Sequence, residues 1–186
     1  RAMLKDRNVQ LVSILRTTQN KLYRQGLSGP EELAQGFPSR VEELFAYQGL
    51  IVGSVEASYF TASQQELIRQ FVDRRGGGIL FLGGRASLAD GGYSASALAE
   101  ILPVSLPPQK TTFYRDQAAV ELAAAGRDSL ITRLVEETEE NAKRWTALPR
   151  LADYQELGVP KAGATVLAQL RTPAGRTLPL LVTQNY

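Results

Sequence analysis

Residues 76–93 read GGGILFLGGRASLADGGY, and the spacing of glycine in this stretch decides how the fold is read. Ile79, Leu80, Phe81 and Leu82 form a short apolar run between two glycine clusters. An unbroken apolar run bounded by turn residues describes a strand buried on both faces. An amphipathic helix pattern precedes it. Leu67, Ile68, Phe71 and Val72 share one helical face, and either Thr61 with Gln64 or Ser63 with Glu66 supplies a capping box. The pattern runs to about residue 75, and Gly76 suits the position just past a helix end. A further helix is expected from about residue 94, with Leu98, Ile101 and Leu102 apolar and Pro103 as its stop. In open α/β sheets, ligands and catalytic groups collect at the carboxyl ends of the strands. The glycines after Leu82 therefore mark the expected site.

Outward from this unit, residues 9–15 (VQLVSIL) read as a strand and residues 16–29 as a long polar loop at its carboxyl end. Pro38-Ser39 followed by Glu42 is a capping-box pattern opening a short helix that contains Val41, Leu44 and Phe45. Leu50, Ile51 and Val52 form the next strand, which ends at Gly53-Ser54. Alternation of strand and helix predicts a flavodoxin-like α/β fold: a mostly parallel sheet with helices on both faces. The second half reads differently. Residues 111–122 form one extended segment, and residues 128–145 are helical in pattern, with Glu139–Lys143 and Glu140–Arg144 at i,i+4 spacing. Residues 164–170 and 178–182 flank TPAGRT, a hairpin turn signal, so a C-terminal hairpin is expected. Residues 103–108 connect the halves, and one domain spans 1–186.

Composition narrows the chemistry. Apolar residues are 44% and charged residues 22%, ordinary values for a globular protein. With 21 Lys plus Arg against 19 Asp plus Glu, the net charge of +2 gives no argument for nucleic acid. No apolar run approaches the roughly 20 residues that span a bilayer. The chain has no Cys and no His. That excludes disulfides, Cys–His and Ser–His catalysis, and zinc or haem held by either residue. The apparent helix tail over residues 2–6 has no start signal, and the chain stops at Tyr186 directly after a strand-like run. These ends predict a domain cut from a longer protein, the alternative being a processed mature chain.

Gly83-Gly84-Arg85 lies where a nucleophile elbow would be. Such an elbow needs small neighbours because its nucleophile sits in a strained turn. The small residues are present and the nucleophile is not; Ser87 follows, with no His to activate it. The alternative is that these glycines only permit a tight turn. Glycines 76–78 precede the strand, so no phosphate loop of the Walker type is formed, and Gly83, Gly84, Gly91 and Gly92 do not fit G-x-G-x-x-G. No cofactor and no resident metal are expected. Glu56, after the strand at 50–53, and Asp90, after the glycine turn, are placed at one sheet edge by parallel topology. They could form a carboxylate pair for acid/base work or for Mg²⁺, the alternative being loop carboxylates that cap helices or pair with Arg85. Arg16, Arg24 and Arg85 all lie at or after strand ends and could converge on an anion or a sugar, the alternative being ordinary solvated surface. Trp145 and Tyr154, flanking Leu148-Pro149, read as packing residues.

Several segments carry a resemblance. These are residues 45–53 (FAYQGLIVG), the helix through Phe71-Val72, and the GGGILFLGG run through Gly91-Gly92-Tyr93. They resemble class I glutamine amidotransferase-like domains, and more narrowly those of large bacterial membrane-anchored proteins that also carry von Willebrand factor A domains. Leu148-Pro149, residues 161–164 (KAGA) and residues 178–182 (LPLLV) are similar to the later segment of that group. The resemblance implies a flavodoxin-like sheet, a first strand and part of a first helix before Arg1, and a further glycine-containing segment after Tyr186. Catalytic members carry a Cys at the elbow, which falls at about Gly84, and a His–Glu pair further on. Neither Cys nor His exists here, so the triad transfers to no residue. The expected function is a non-catalytic binding or assembly module of a membrane-associated bacterial protein. Its partners are expected to be proteins or other domains of the parent chain. Two alternatives are a carboxylate enzyme using Glu56 and Asp90, with or without a metal, and an anion or sugar sensor.

Overall fold

The computed structural model describes residues 8–18, 21–109 and 111–186; the expected helix tail over 2–6 lies outside them. Strand β1 (Ser13–Thr18) folds back antiparallel onto β2 (Lys21–Gln25), with Leu15 opposite Tyr23 and Arg16 opposite Leu22. The strand expected at 9–15 is thus shifted along the chain, and part of the expected polar loop is its partner. Cross-strand pairing of Leu15 with Tyr23 favours the extended state despite the interleaved Arg16, Lys21 and Arg24.

The next elements form one βαβ unit. Helix α1 (Val41–Phe45) precedes β3 (Gly49–Gly53), α2 (Ala62–Asp73) crosses over, and β4 (Gly78–Leu82) lies parallel to β3 in the register Gly49↔Gly78 to Gly53↔Leu82. Of the two capping boxes available to α2, Thr61–Gln64 forms: Gln64 N–H donates to Thr61 Oγ1 at 3.2 Å and Thr61 N–H to Gln64 Oε1 at 3.0 Å. The Ser39–Glu42 box does not. Arg40 is the N-cap of α1 and makes no side-chain cap bond, its guanidinium donating to Glu43 Oε1, while the Ser39 hydroxyl accepts from Gln64 Nε2 at 3.3 Å. Leu67, Ile68 and Phe71 are buried on the expected face of α2. They pack with Leu44 of α1 and with Leu50, Val52, Ile79 and Phe81 from the inner face of the strand pair. A Cβ at position 77 would sit 2.1 Å from the Phe71 ring, so only glycine lets the chain leave α2 so close to its own core.

Beyond β4 the chain departs from the expectation. Residues 93–99 form two 3-10 turns, Tyr93–Ala95 and Ala97–Ala99, instead of a helix. Ser96 between them is extended and its hydroxyl donates to Tyr93 O at 2.9 Å, a local bond that competes with helix continuation. Strands β5 (Val104–Ser105), β6 (Phe113–Tyr114) and β7 (Ala119–Leu122) follow, so the segment expected at 111–122 divides into two strands with different partners. Helix α3 (Ala124–Arg127) and a 3-10 turn, Leu130–Thr132, precede α4 (Thr138–Thr146). The helical pattern at 128–145 is interrupted because Asn141 Oδ1 accepts from Leu134 N–H at 2.8 Å, holding that loop against α4, while Glu137 caps its first turn. Trp145 packs there, its Nε1–H donating to Thr132 O at 2.7 Å.

Strands β8 (Tyr154–Gln155) and β9 (Val159–Pro160) pair antiparallel with β6 and β5. The C-terminal hairpin forms as expected from β10 (Thr165–Arg171) and β11 (Thr177–Thr183), and β7 adds on the far side of β10. A second, smaller core gathers Ala118, Tyr154 and Leu170 with Leu178 and Leu180.

The chain is therefore mixed α/β, but the flavodoxin-like sheet is absent. Among the described residues the sheets hold two or three strands each, in the orders β1–β2, β3–β4, β5–β9, β6–β8 and β11–β10–β7, and β3–β4 is the single parallel pair. Helices do not cover both of its faces either. Ile51, Leu80 and Leu82 point away from α1 and α2 and are 50%, 43% and 45% exposed. No helix among the described residues is long and apolar enough to cross a membrane.

A core organised around α2 has a measurable consequence. Phe71→Ala is expected to cost about 3–5 kcal/mol and Thr61→Ala about 1 kcal/mol in urea unfolding. A smaller loss for Phe71→Ala than for Thr61→Ala would contradict the placement of the core.

Candidate functional site

The turn after β4 lies at the carboxyl edge of the parallel pair, beside the turn that ends β3. A Cβ at position 84 would approach Ser54 Oγ to 2.8 Å, which places the two turns in contact. Ser54 itself adopts a left-handed backbone, φ 47°, as does buried Leu88, φ 50°, and non-glycine residues hold this conformation only where surrounding structure enforces it. The loop then winds tightly: a Cβ at position 91 would lie 2.6 Å from Ala86 O, and Gly91 N–H donates to Ser87 O at 3.0 Å.

The polar groups of this turn are engaged by a residue far away in sequence. Gln155, 6% exposed, accepts from Gly84 N–H at 2.9 Å. Its Nε2 hydrogens are shared among Ser87 O at 3.0 Å, Asp90 Oδ2 at 2.8 Å and Thr112 Oγ1 at 3.1 Å. Thr112, fully buried, donates its backbone N–H to both Asp90 carboxylate oxygens at 3.2 Å and its hydroxyl to Asp90 Oδ2. Ser87 is buried and its hydroxyl donates to Leu82 O at 2.8 Å. It braces the strand end and is not presented to solvent. Sequence reading singled out Gly84, Ser87 and Asp90 but not Gln155 or Thr112. A Gln in a two-residue strand and a Thr just before another carry no pattern that marks them, and the pairing of β6 with β8 brings both to the turn.

Glu56 and Asp90 do sit on adjacent loops, tied by Ala57 N–H donating to Gly91 O at 2.9 Å. Their carboxylates share no partner. Glu56 accepts from Arg16 at 2.7 Å, and its own backbone N–H, followed by the Arg16 guanidinium, holds its carboxyl below the usual carboxylate range. Asp90 faces Thr112 and Gln155. Among the described residues no cluster of three or more acidic side chains could hold a metal ion. The three arginines also separate. Arg16 binds Glu56 and lies 5.1 Å from the Tyr59 ring centroid. Arg24 donates to Pro30 O at 3.0 Å and Glu32 O at 2.8 Å. Arg85 is exposed at the turn, with its guanidinium 5.5 Å from the Phe113 ring centroid. Of Gly83, Gly84, Arg85, Ser87, Glu56, Asp90, Arg16 and Arg24, the structure thus gathers Gly83, Gly84, Ser87 and Asp90 around Gln155. Arg16 with Glu56 forms a separate pair, Arg85 leaves the same turn towards solvent over the Phe113 ring, and Arg24 is held elsewhere at Pro30 and Glu32.

A cleft of about 800 Å³ opens away from this turn, between the segment at 28–39 and the helix before β3. Tyr47 on its wall donates to Glu32 Oε1 at 2.7 Å, and Glu32 Oε2 accepts from Ser28 N–H at 2.6 Å. The Ser28 bond, with that of Tyr47, lowers the Glu32 pKa, whereas burial and then the Glu32 carboxylate push the Tyr47 phenol up to about 12. No motif in the sequence points to this cleft.

No family model matches the chain, and no curated protein matches it. A solved structure does. It is the cytoplasmic protein STM3548 from Salmonella typhimurium, which is 17% identical with a TM-score of 0.64 over 92% of this chain and 77% of that one. The likeness is one of fold.

Gln155→Leu leaves Gly84 N–H without its acceptor, while Asp90 and Thr112 keep each other and Ser87 O keeps Gly91 N–H, and is expected to cost about 1–3 kcal/mol, the penalty of one polar group left without a partner. Gln155→Glu is expected to be less stable at neutral pH than near pH 4, because a second carboxylate would face Asp90. Equal stability at both pH values would contradict that contact. Tyr47 and Tyr93, the latter pushed up to about 12 by burial, favour the folded state in their neutral forms. Their contribution is complete below about pH 10 and is lost as pH rises from about 10 towards 12. Unfolding across that range should show the loss, and Tyr47→Phe should reduce it.

Proposed function

We propose that this chain is a non-catalytic binding or assembly module. It is related to the class I amidotransferase-like domains through the segments around residues 45–53 and 76–93 and is carried by a membrane-anchored bacterial protein. The observation that carries the reading is the internal commitment of the strand-end turn. Gln155 fills the Gly84 N–H that an elbow would turn towards a substrate, and the Ser87 hydroxyl is donated to Leu82 O. A nucleophile needs a base within hydrogen-bond reach, and the side chains around Ser87 that accept or donate are a carboxamide, a threonine and a carboxylate already bonded to both.

Binding is supported by the other face of the same strands. The runs at 50–52 and 79–82 have the continuous apolar character of strands covered on both sides, yet Ile51, Leu80 and Leu82 are open. Apolar surface of this kind, contiguous across paired strands, marks contact sites for other polypeptides. A membrane anchor would belong to another part of the parent protein.

The test is ammonia release from glutamine by the purified domain. No release above a heat-denatured control is expected, and release that disappears in Ser87→Ala would show the turn to be catalytic and sink the reading.

A further inference from the structure

Two hydrophobic clusters divide the chain. The larger draws its buried side chains from residues 44–102, and Leu157 is the single side chain from beyond residue 112 that packs against it. The smaller gathers Ala118, Tyr154, Leu170, Leu178 and Leu180. Among the described residues no ion pair crosses from residues 8–106 to residues 113–186. The two parts meet through hydrogen bonds in two places. At the first, β5 pairs with β9, Lys161 N–H donates to Pro103 O at 2.9 Å, and Lys161 Nζ donates to Ala99 O and Glu100 O. This place adjoins residues 103–112, the one stretch of chain that joins the parts. At the second, Asp90 accepts from the N–H and hydroxyl of Thr112 and from Gln155 Nε2, Gln155 Oε1 accepts from Gly84 N–H, and Arg85 lies over Phe113. Thr112 travels with β8, because Glu156 N–H donates to Thr112 O at 2.8 Å. Between the two places stands Gly158, whose φ of 84° is a left-handed backbone open to glycine without strain. Two packed bodies on one connector, touching through a small polar contact, are the arrangement in which relative motion is expected.

We propose that residues 113–186 swing as one body about a pivot at β5–β9 and Lys161, and that Gln155, Asp90 and Thr112 form the clasp that closes this body over the strand-end turn. Closed, the clasp occupies Gly84 N–H and the Asp90 carboxylate. Open, it presents them side by side to a partner group that accepts from the amide and donates to the carboxylate. Leu157 lies two residues before β9 and stays with the pivot, so opening withdraws little apolar surface. The bonds that break are exchanged for bonds to water, and the net difference for each is small. The inference rests on the binding-module reading for what the turn is kept for, and it adds how access to that turn is regulated.

Native-state hydrogen exchange of the whole chain, read by NMR over a series of sub-denaturing urea concentrations, tests the clasp. Gly84 and Thr112 N–H report the clasp itself, the amides of α2 report the larger core, and those of β10 report the interior of the swinging body. Gly84 and Thr112 are expected to share one opening equilibrium, with protection roughly tenfold or more below that of α2 and β10. Their urea dependence should lie above zero and below that of α2, because opening exposes some surface but not a core. Leu170→Ala separates swinging from unfolding. It weakens the smaller core, so protection in β10 should fall by roughly thirtyfold or more. Gly84 and Thr112 should keep their wild-type protection, because that core stays packed in the open state. Exchange of Gly84 and Thr112 only together with α2 overturns the proposal, since no separate opening would then exist. So does a urea dependence of zero, which would mean local fraying of the turn. A loss at Gly84 and Thr112 that matches β10 in Leu170→Ala would mean unfolding of the second body and overturns it too, and the wild-type measurement stands even where that variant does not fold. None of these outcomes bears on ammonia release, so failure of the clasp and failure of the non-catalytic reading are told apart.

Discussion

One carboxamide holds the two halves of this molecule in register. Gln155 is buried, and its oxygen and nitrogen engage the turn after β4 at Gly84 and Ser87 while also bonding Asp90 and Thr112. Hydrogen bonds of this kind contribute only about 1 kcal/mol each, more where the acceptor is a carboxylate, but the stake is larger than their sum because Gln155, Ser87 and Thr112 are buried. The smaller core beyond it, around Ala118, Tyr154 and Leu170, has few buried side chains of its own. It is positioned against the larger core through this cluster, through β5–β9 and through Lys161, whose Nζ donates to Ala99 O at 2.7 Å and Glu100 O at 2.9 Å. No buried side-chain polar atom is left without a partner among the described residues.

What the sequence made legible is what local physics decides. The α2 face, its capping box, the two apolar strands beside it and the C-terminal hairpin depend on periodicity, on one Thr–Gln spacing and on turn chemistry, and each stands where expected. The illegible parts are those in which a side chain bonds backbone outside its own element. Ser96 breaks a helix that apolar spacing favours, and Asn141 holds the loop before α4 out of another. The flavodoxin-like expectation failed for a different reason. Two buried-type strands and one crossover suffice for a βαβ unit, and that unit is all that the strand–helix alternation built; the remaining strands pair antiparallel, β1–β2 and β10–β11 as hairpins and the others with partners distant in sequence.

The site was half legible. Glycine placement found the turn, and parallel pairing brought the loops of Glu56 and Asp90 together as the alternation implied. Which partner each charged group would take was not readable. Arg16 lies 40 residues before Glu56 and reaches it only because β1 and β2 fold into a hairpin that polar composition had hidden. Arg85, by contrast, remains exposed on the Phe113 ring, and a cation on an aromatic face at the surface is worth less than about 1 kcal/mol.

The Gln155 contact also spans the chain: it lies 71 residues from Gly84. β3, α2 and β4, in contrast, are consecutive elements that close on one another over short stretches. Closing a long loop costs more chain entropy than closing a short one, and contacts distant in sequence slow folding. The βαβ unit can therefore assemble first and present a finished turn, with the amide arriving last as the step that commits the C-terminal strands. In that order, the strand-end turn is a folding receptor, and its ligand is the chain's own glutamine.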